Sequence, residues 1–259
     1  MTTHSTETVR ASLVPAEAGS SDVLPSGYNA DLAYSMAVFS SATYNLYQQS
    51  ALQIPTGWTL NSQFYYTDVF GNSVTIGAVF ESSTAVTLAF RGTQTWQELV
   101  ITDCDLLPAT PGWIGYWIVH LGFNNMYSPI RQSVMNILNE IVFGTRAFYI
   151  TGHSLGGALA TLAAADYTAN NAGYPVTAVY TFGSPRVVSY LTFAQYYNGA
   201  SGISNYTYRV ARPADVVTQV PTPPLYYHVS QLVSLAGTTN QDGLTSHPID
   251  AYIDLLDPV

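Results

Sequence analysis

Apolar positions over residues 29–50 recur at helical spacing (Leu32, Met36, Val38, Phe39, Tyr44, Leu46) and predict one helix with a frayed end. The pattern then changes to alternation in "QFYYTDVFGNSVTIGAVFES" (63–82), where Gly71-Asn72 splits two runs and predicts a hairpin. "AVTLAFRG" (85–92) is a β-branched apolar run, the pattern of a buried strand. The next stretch, 94–119, is apolar but broken by prolines and glycines, and matches neither template. Met126, Ile130, Val134, Ile137 and Ile141 then lie on one face of a helix over roughly 123–143. A strand at 146–150, a helix from Ser154, strands within 176–184 and 204–212 and a last helix over about 246–256 complete the series. Strands alternating with helices predict an α/β fold with a mainly parallel central sheet. No internal repeat or linker interrupts it, so the expected organisation is one domain over 28–259 behind a loose arm, residues 1–27, rich in Ser, Thr, Ala and Glu.

Composition narrows the functional classes. Of 259 residues, 47% are hydrophobic and only 9% charged, enough for a sizeable core. The formal charge is −9 and all seven basic residues are Arg, with no cationic run to neutralise phosphates, so nucleic acid is not an expected partner. Nothing reaches the length of a membrane span, and the start lacks the apolar core of a signal peptide. A removed leader is still compatible with the sequence. Low charge, many Ser, Thr, Asn and Tyr, and the Asn205-Tyr206-Thr207 sequon lean towards an exported protein. The single Cys104 excludes an internal disulfide framework and a cysteine metal cluster, and no other ligand set implies a metal or organic cofactor.

Chemistry concentrates at Gly152-His153-Ser154-Leu155-Gly156. The bare Gly-x-Ser-x-Gly pattern is weak, but here it follows a predicted strand and opens a predicted helix, as a nucleophile elbow must. Its bland reading is a glycine-rich turn with a solvent-facing serine. A serine hydroxyl needs a base and a carboxylate, which in this architecture follow in the order serine, acid, histidine. Downstream lie only His228 and His247, and no glutamate. Asp166 is about 18 Å along the helix leaving the elbow and cannot reach. Asp250, Asp254 and Asp257 follow both histidines, the wrong order. Asp215, just past a strand near Arg212, is preferred to Asp242, whose Asp-Gly pair reads as an ordinary turn. His247, at the start of the last helix with Pro248 as its first residue, is preferred to His228, which sits in an alternating pattern.

These residues in this order resemble the class 3 lipase family, α/β hydrolases that include fungal triacylglycerol lipases, feruloyl esterases and plant lipase-like proteins. The matching segments are "AFRGT" (89–93), "HLGF" (120–123), "TGHSLGGALA" (151–160), "YTFGSPRV" (180–187), "ADVVTQVP" (214–221), "YYHVSQ" (226–231) and "HPIDAY" (247–252). The resemblance implies an α/β-hydrolase fold with a lid, and a serine carboxylic-ester hydrolase acting on acylglycerols or other fatty-acyl esters. Aryl esters of feruloyl type are the alternative substrates, and a non-catalytic lipase-like binding module is the third reading. It also implies Ser154 as nucleophile, Asp215 as acid and His247 as base, with an oxyanion hole from the backbone N–H groups of Thr93 and Leu155. The lid would fall at 94–104, where the chain departs from the family pattern at Leu99 and Asp103. Trp96, Leu99, Val100 and Ile101 would cover the site and open at a lipid surface, or else pack as core. Trp113, Tyr116, Trp117 and Ile118 would line an acyl groove, extend the lid, or pack on the 123–143 helix. Transient contact of 94–119 with a lipid–water interface is the expected partner interaction.

Overall fold

The computed structural model describes residues 24–67, 70–92, 107–113, 115, 118–170, 173–189, 191–200, 202–235 and 245–258. Most of the expected arm, Thr93, the expected lid segment, Tyr116, Trp117 and Asp242 lie outside these described residues. Among the described residues, no helix is long and apolar enough to cross a membrane.

Helix α1 (Ala30–Gln48) begins where Asn29 accepts the Leu32 N–H at 2.8 Å, an N-cap that satisfies one orphan donor of the first turn. The expected hairpin forms as β1 (Thr59–Thr67) and β2 (Ser73–Glu81), and β3 (Ala85–Phe90) pairs antiparallel with β2. Short strands β4 (Pro108–Ala109) and β5 (Ile118–His120) lead into α2 (Leu121–Glu140). His120 sets the start of α2, its Nδ1 accepting the Gly122 N–H at 3.1 Å, two residues before the predicted boundary. Strand β6 (Ala147–His153) feeds α3 (Leu155–Asn170), followed by β7 (Ala178–Phe182), β8 (Val188–Ser189) and α4 (Leu191–Gln195). Residues Ile203–Tyr206 form a 3₁₀ turn rather than the predicted strand start, and β9 covers only Thr207–Ala211. Strands β10 (Tyr226–Tyr227) and β11 (Gln231–Ser234) precede α5 (Ile249–Leu256). Pro248 caps α5 instead of being its first residue, because its ψ of 143° is extended.

The main sheet has the order β1-β2-β3-β6-β7-β9-β11 among the described residues, antiparallel at the β1–β3 end and parallel from β3 onward. A four-stranded antiparallel sheet, β10-β8-β5-β4, lies apart from it. The period-2 alternation of each strand divides the core into two layers. Val79, Leu88 and Phe90 pack towards α2 and α3, while Ala78, Phe80 and Ala89 pack towards α1 and α5. Each large side chain buried this way contributes about 1.5–3 kcal/mol. Helix α3 is buried from Leu155 to Tyr167, which explains its run of Gly and Ala between sheet and neighbouring helix. Its one carboxylate, Asp166, is fully buried but holds Arg131 at 2.7 and 2.9 Å and the Tyr127 hydroxyl at 2.8 Å. That pairing offsets the cost of removing a charge from water and ties α2 to α3.

Candidate active site

Ser154 occupies the single residue between β6 and α3 and takes a left-handed φ of 60°. A non-glycine residue in that region costs of order 1–3 kcal/mol, so the surroundings must impose it. Two restraints are visible: the Ser154 N–H donates to Phe182 O at 2.9 Å, and its carbonyl accepts the Gly157 N–H at 2.9 Å. The turn is tight enough that a Cβ on Gly152 would overlap the Gly156 carbonyl, and one on Gly156 would overlap the Phe90 carbonyl. The two glycines are therefore required for close approach of strand, turn and helix. Leu155 and Gly156 open α3, where first-turn N–H groups have no intrahelical acceptor and face positive dipole density outward.

Two loops at the carboxyl ends of parallel strands bring the remaining candidates to Ser154, the location expected for ligand chemistry in such sheets. The loop after β9 carries Asp215, and the segment after β11 returns at His247. His247 Nε2 lies 2.8 Å from Ser154 Oγ, and its Nδ1 lies 2.9 and 3.0 Å from the two carboxylate oxygens of Asp215. All three are buried: Ser154 is 1% exposed, Asp215 0% and His247 5%. With the Asp215 carboxylate accepting from Nδ1–H, the Nε2 lone pair faces the serine hydroxyl, the geometry in which it could accept a proton.

Asp215 has two further donors. Val217 N–H reaches Oδ1 at 2.9 Å, and the Tyr252 hydroxyl donates to Oδ2 at 2.6 Å. Tyr252 in turn accepts the Arg212 N–H at 3.3 Å. Burial first, then the neighbouring Asp215 charge, holds the Tyr252 phenol well above its ordinary range, so it stays a donor. The hydroxyl of Tyr252 was not legible in the sequence, because the spacing Ile249, Tyr252, Leu256 reads simply as the apolar face of α5.

A second histidine supports the first. His153 Nε2 lies 2.7 Å from the His247 carbonyl oxygen, which can only accept, so Nε2 carries the proton. Burial, and then the proximity of His247, push the His153 pKa well down and keep it neutral. Its Nδ1 therefore accepts from the Tyr44 hydroxyl on α1 at 2.8 Å. In the sequence His153 stands only as the variable position of the serine motif.

The rejected candidates lie elsewhere. His228 does not meet Ser154; its Nε2–H donates to the Thr218 carbonyl at 2.8 Å and braces the loop that carries Asp215. Burial, then Arg209, hold it neutral. Arg186 donates to the Gln219 and Pro221 carbonyls of that loop, and Arg212 donates to Ser246 O at 3.0 Å beside His247. Asp166 is engaged between α2 and α3, and Asp250, Asp254 and Asp257 are exposed. Trp113 packs edge-on against Tyr127 of α2 at 5.0 Å, with its indole N–H on Ser128 Oγ at 3.2 Å, the packing alternative among those expected for it.

Residues 87–224 match the family described as Lipase (class 3). Over 172 residues the chain is 31% identical to a secreted mono- and diacylglycerol lipase A of Penicillium cyclopium, covering 65% of this chain and 54% of that one. Over 175 residues it is 31% identical to a phospholipase A1-II of Oryza sativa subsp. japonica, covering 56% of this chain and 42% of that one. The chain thus spans about half the length of the curated relatives it matches. The crystal structure of a mutant MDLA from Penicillium cyclopium superimposes with a TM-score of 0.68 at 26% identity, covering 82% of this chain and 81% of that one. The fold is that of these lipases, and with a family match over more than half of its length the chain belongs to the class 3 lipase family.

Proposed function

We propose that this protein hydrolyses carboxylic esters of fatty acids, acylglycerols foremost, through an acyl-enzyme on Ser154. The observation that carries the reading is the buried chain from Ser154 Oγ through His247 to Asp215, with every link at 2.8–3.0 Å. Ser154 Oγ attacks the ester carbonyl as His247 Nε2 takes its proton. Asp215 holds the imidazole in the required tautomer and stabilises its charged form. His247 then protonates the departing alkoxide, and a water activated by the same nitrogen releases the acid. The Leu155 N–H at the start of α3 is proposed as one oxyanion donor, with Thr93 as the other. Gly92 lies against Ser154 and the His153 carbonyl, which supports a role for the residue that follows it. Residues 28–259 are proposed to form the catalytic unit, with 94–119 as the segment that meets lipid.

Acylglycerols are favoured by the printed activity of the Penicillium cyclopium relative. Replacing Ser154 by Ala is expected to lower ester hydrolysis by at least about 10³-fold, with a melting curve to show that the fold is retained. Unchanged turnover on an ester panel from short to long acyl chains overturns the reading. Run above and below the solubility limit, the same panel shows whether activity rises at an interface.

A further inference from the structure

At the β9–β11 end of the main sheet lies a cavity of about 320 Å³, and Ser154, Asp215 and His247 are not among the residues that line it. The parallel register sets Leu232 beside Arg209 and Ser234 beside Ala211, so the alternation of side chains turns all four to one face. Arg186, Arg212 and His228 close the space from the segments around it, together with Thr218 and Gln219 of the Asp215 loop. Three of the seven Arg in a chain of formal charge −9 thus line one cavity, and among the described residues no carboxylate does. Arg186 and Arg212 are buried and Arg209 is half-buried. Donation to the carbonyls of Gln219, Pro221 and Ser246 fixes two of the guanidinium groups before any ligand arrives, which lowers the cost of binding.

His228 adds a different group. Its Nε2–H donates to the Thr218 carbonyl, which leaves Nδ1 as a lone pair on a ring that burial, then the Arg209 and Arg186 charges, keep neutral. That lone pair has no partner among the described residues. Fixed guanidinium groups bind the oxygens of an oxyanion, and an imidazole lone pair accepts a hydrogen bond from an acidic O–H. The ligand that fits both is an oxyanion that still carries a proton at neutral pH.

We infer that this cavity binds inorganic phosphate in its monohydrogen form, with its oxygens on Arg186, Arg209 and Arg212 and its P–OH donating to His228 Nδ1. The inference does not depend on the chemistry at Ser154. Arg186 and His228 also brace the loop of Asp215, and Arg212 the turn of His247, so bound phosphate ties both loops to the β9–β11 end of the sheet.

The test titrates the wild-type chain with sodium phosphate at about pH 7.5 and constant ionic strength, which holds screening fixed. Calorimetry reads binding and thermal melting reads stability, with sulfate and glycerol 3-phosphate as comparison anions. Phosphate should bind once per chain and raise the melting temperature saturably, as a ligand of the folded state does. Sulfate has no proton to donate, and a phosphate monoester loses its second proton near about pH 6, so both should bind at least about tenfold more weakly. Arg209→Gln should weaken phosphate binding by about tenfold or more, through the loss of charge-assisted hydrogen bonds. Ser234→Asp, at an exposed lining position, sets a carboxylate against the anion and should abolish binding even if the Arg209 variant fails to fold. The absence of saturable binding to the wild type overturns the inference, as does full affinity in either folded variant. Sulfate or glycerol 3-phosphate binding as tightly as phosphate overturns it too, and each of these results leaves the proposed function standing.

Discussion

The two halves of the site are built by different means. Ser154 is held mainly by its neighbours in sequence, β6 before it, α3 after it and two glycines that let them touch, with one remote tie from its N–H to Phe182 O of β7. The Asp215–His247 half is assembled from loops held by distant residues. Arg186 and His228 brace the loop of Asp215, Arg212 braces the turn of His247, and Tyr252 and Val217 hold the carboxylate itself. The first half is set mostly by one short segment and two adjoining strands, β3 and β7. The second exists only when the sheet has closed, which makes it the half that remote substitutions and pH should disturb first.

The largest effect that separates the halves is expected from Asp215→Asn. The amide leaves the elbow untouched but removes the acceptor that fixes the His247 tautomer, so kcat should fall roughly 10³–10⁴-fold with little change in KM. An effect below tenfold would mean that Asp215 does not act through His247.

Tyr252→Phe should come next. It deletes one hydrogen bond to a charged group, worth about 1.5–3 kcal/mol, and should lower kcat by about tenfold or more. The loss should fall on kcat with KM little changed, a split that a purely structural role for Tyr252 would not produce.

The smallest expected effect concerns stability. His228→Leu leaves the Thr218 carbonyl without its donor at a cost of about 1–3 kcal/mol, read from thermal melting. Both His228 and His153 have folded pKa values pushed well below the ordinary 6.5. The unfolded chain takes up protons at these positions as pH falls through that value, while the folded chain does not. Stability is therefore full above about pH 6.5 and is lost on acidification towards the folded values. The His228→Leu chain should melt lower at about pH 7.5 and lose less on moving to about pH 5 than the wild type does. An equal loss in both chains would remove His228 from the account of acid sensitivity.

How much was legible in the sequence follows the same division. The elbow lies at a change of periodicity, so strand, turn and helix could all be read from residues 146–170. The parallel α/β sheet was legible for the same reason. Order and exclusion narrowed the choice to Asp215 or Asp242 and His247 or His228, local context and the family resemblance favoured Asp215 and His247, and the structure brings both to Ser154. The alternating stretch 225–232, read as a strand or its edge, resolves into two short strands, β10 and β11, and "QLVS" gains its identity by pairing with β9. Pro248 was read one position too deep, since sequence does not show its ψ. Tyr252, Tyr44 and His153 were hidden because their function depends on partners from 37 to 109 residues away. The buried arginines did carry a signal that went unread. In a chain with only seven Arg and Lys residues, Arg186 and Arg212 are both buried, the first donating to the loop of Asp215 and the second to Ser246 O beside His247.

The central claim, that Ser154 is the nucleophile activated by this assembly, is tested most directly by covalent labelling. A fluorescent alkyl phosphonate should react once per chain and appear, after trypsin, on Ser154 within the peptide bounded by Arg146 and Arg186. His247→Ala should abolish the labelling. Label on any other residue, or ester hydrolysis that persists in fully phosphonate-treated protein with Ser154 unmodified, would contradict the account.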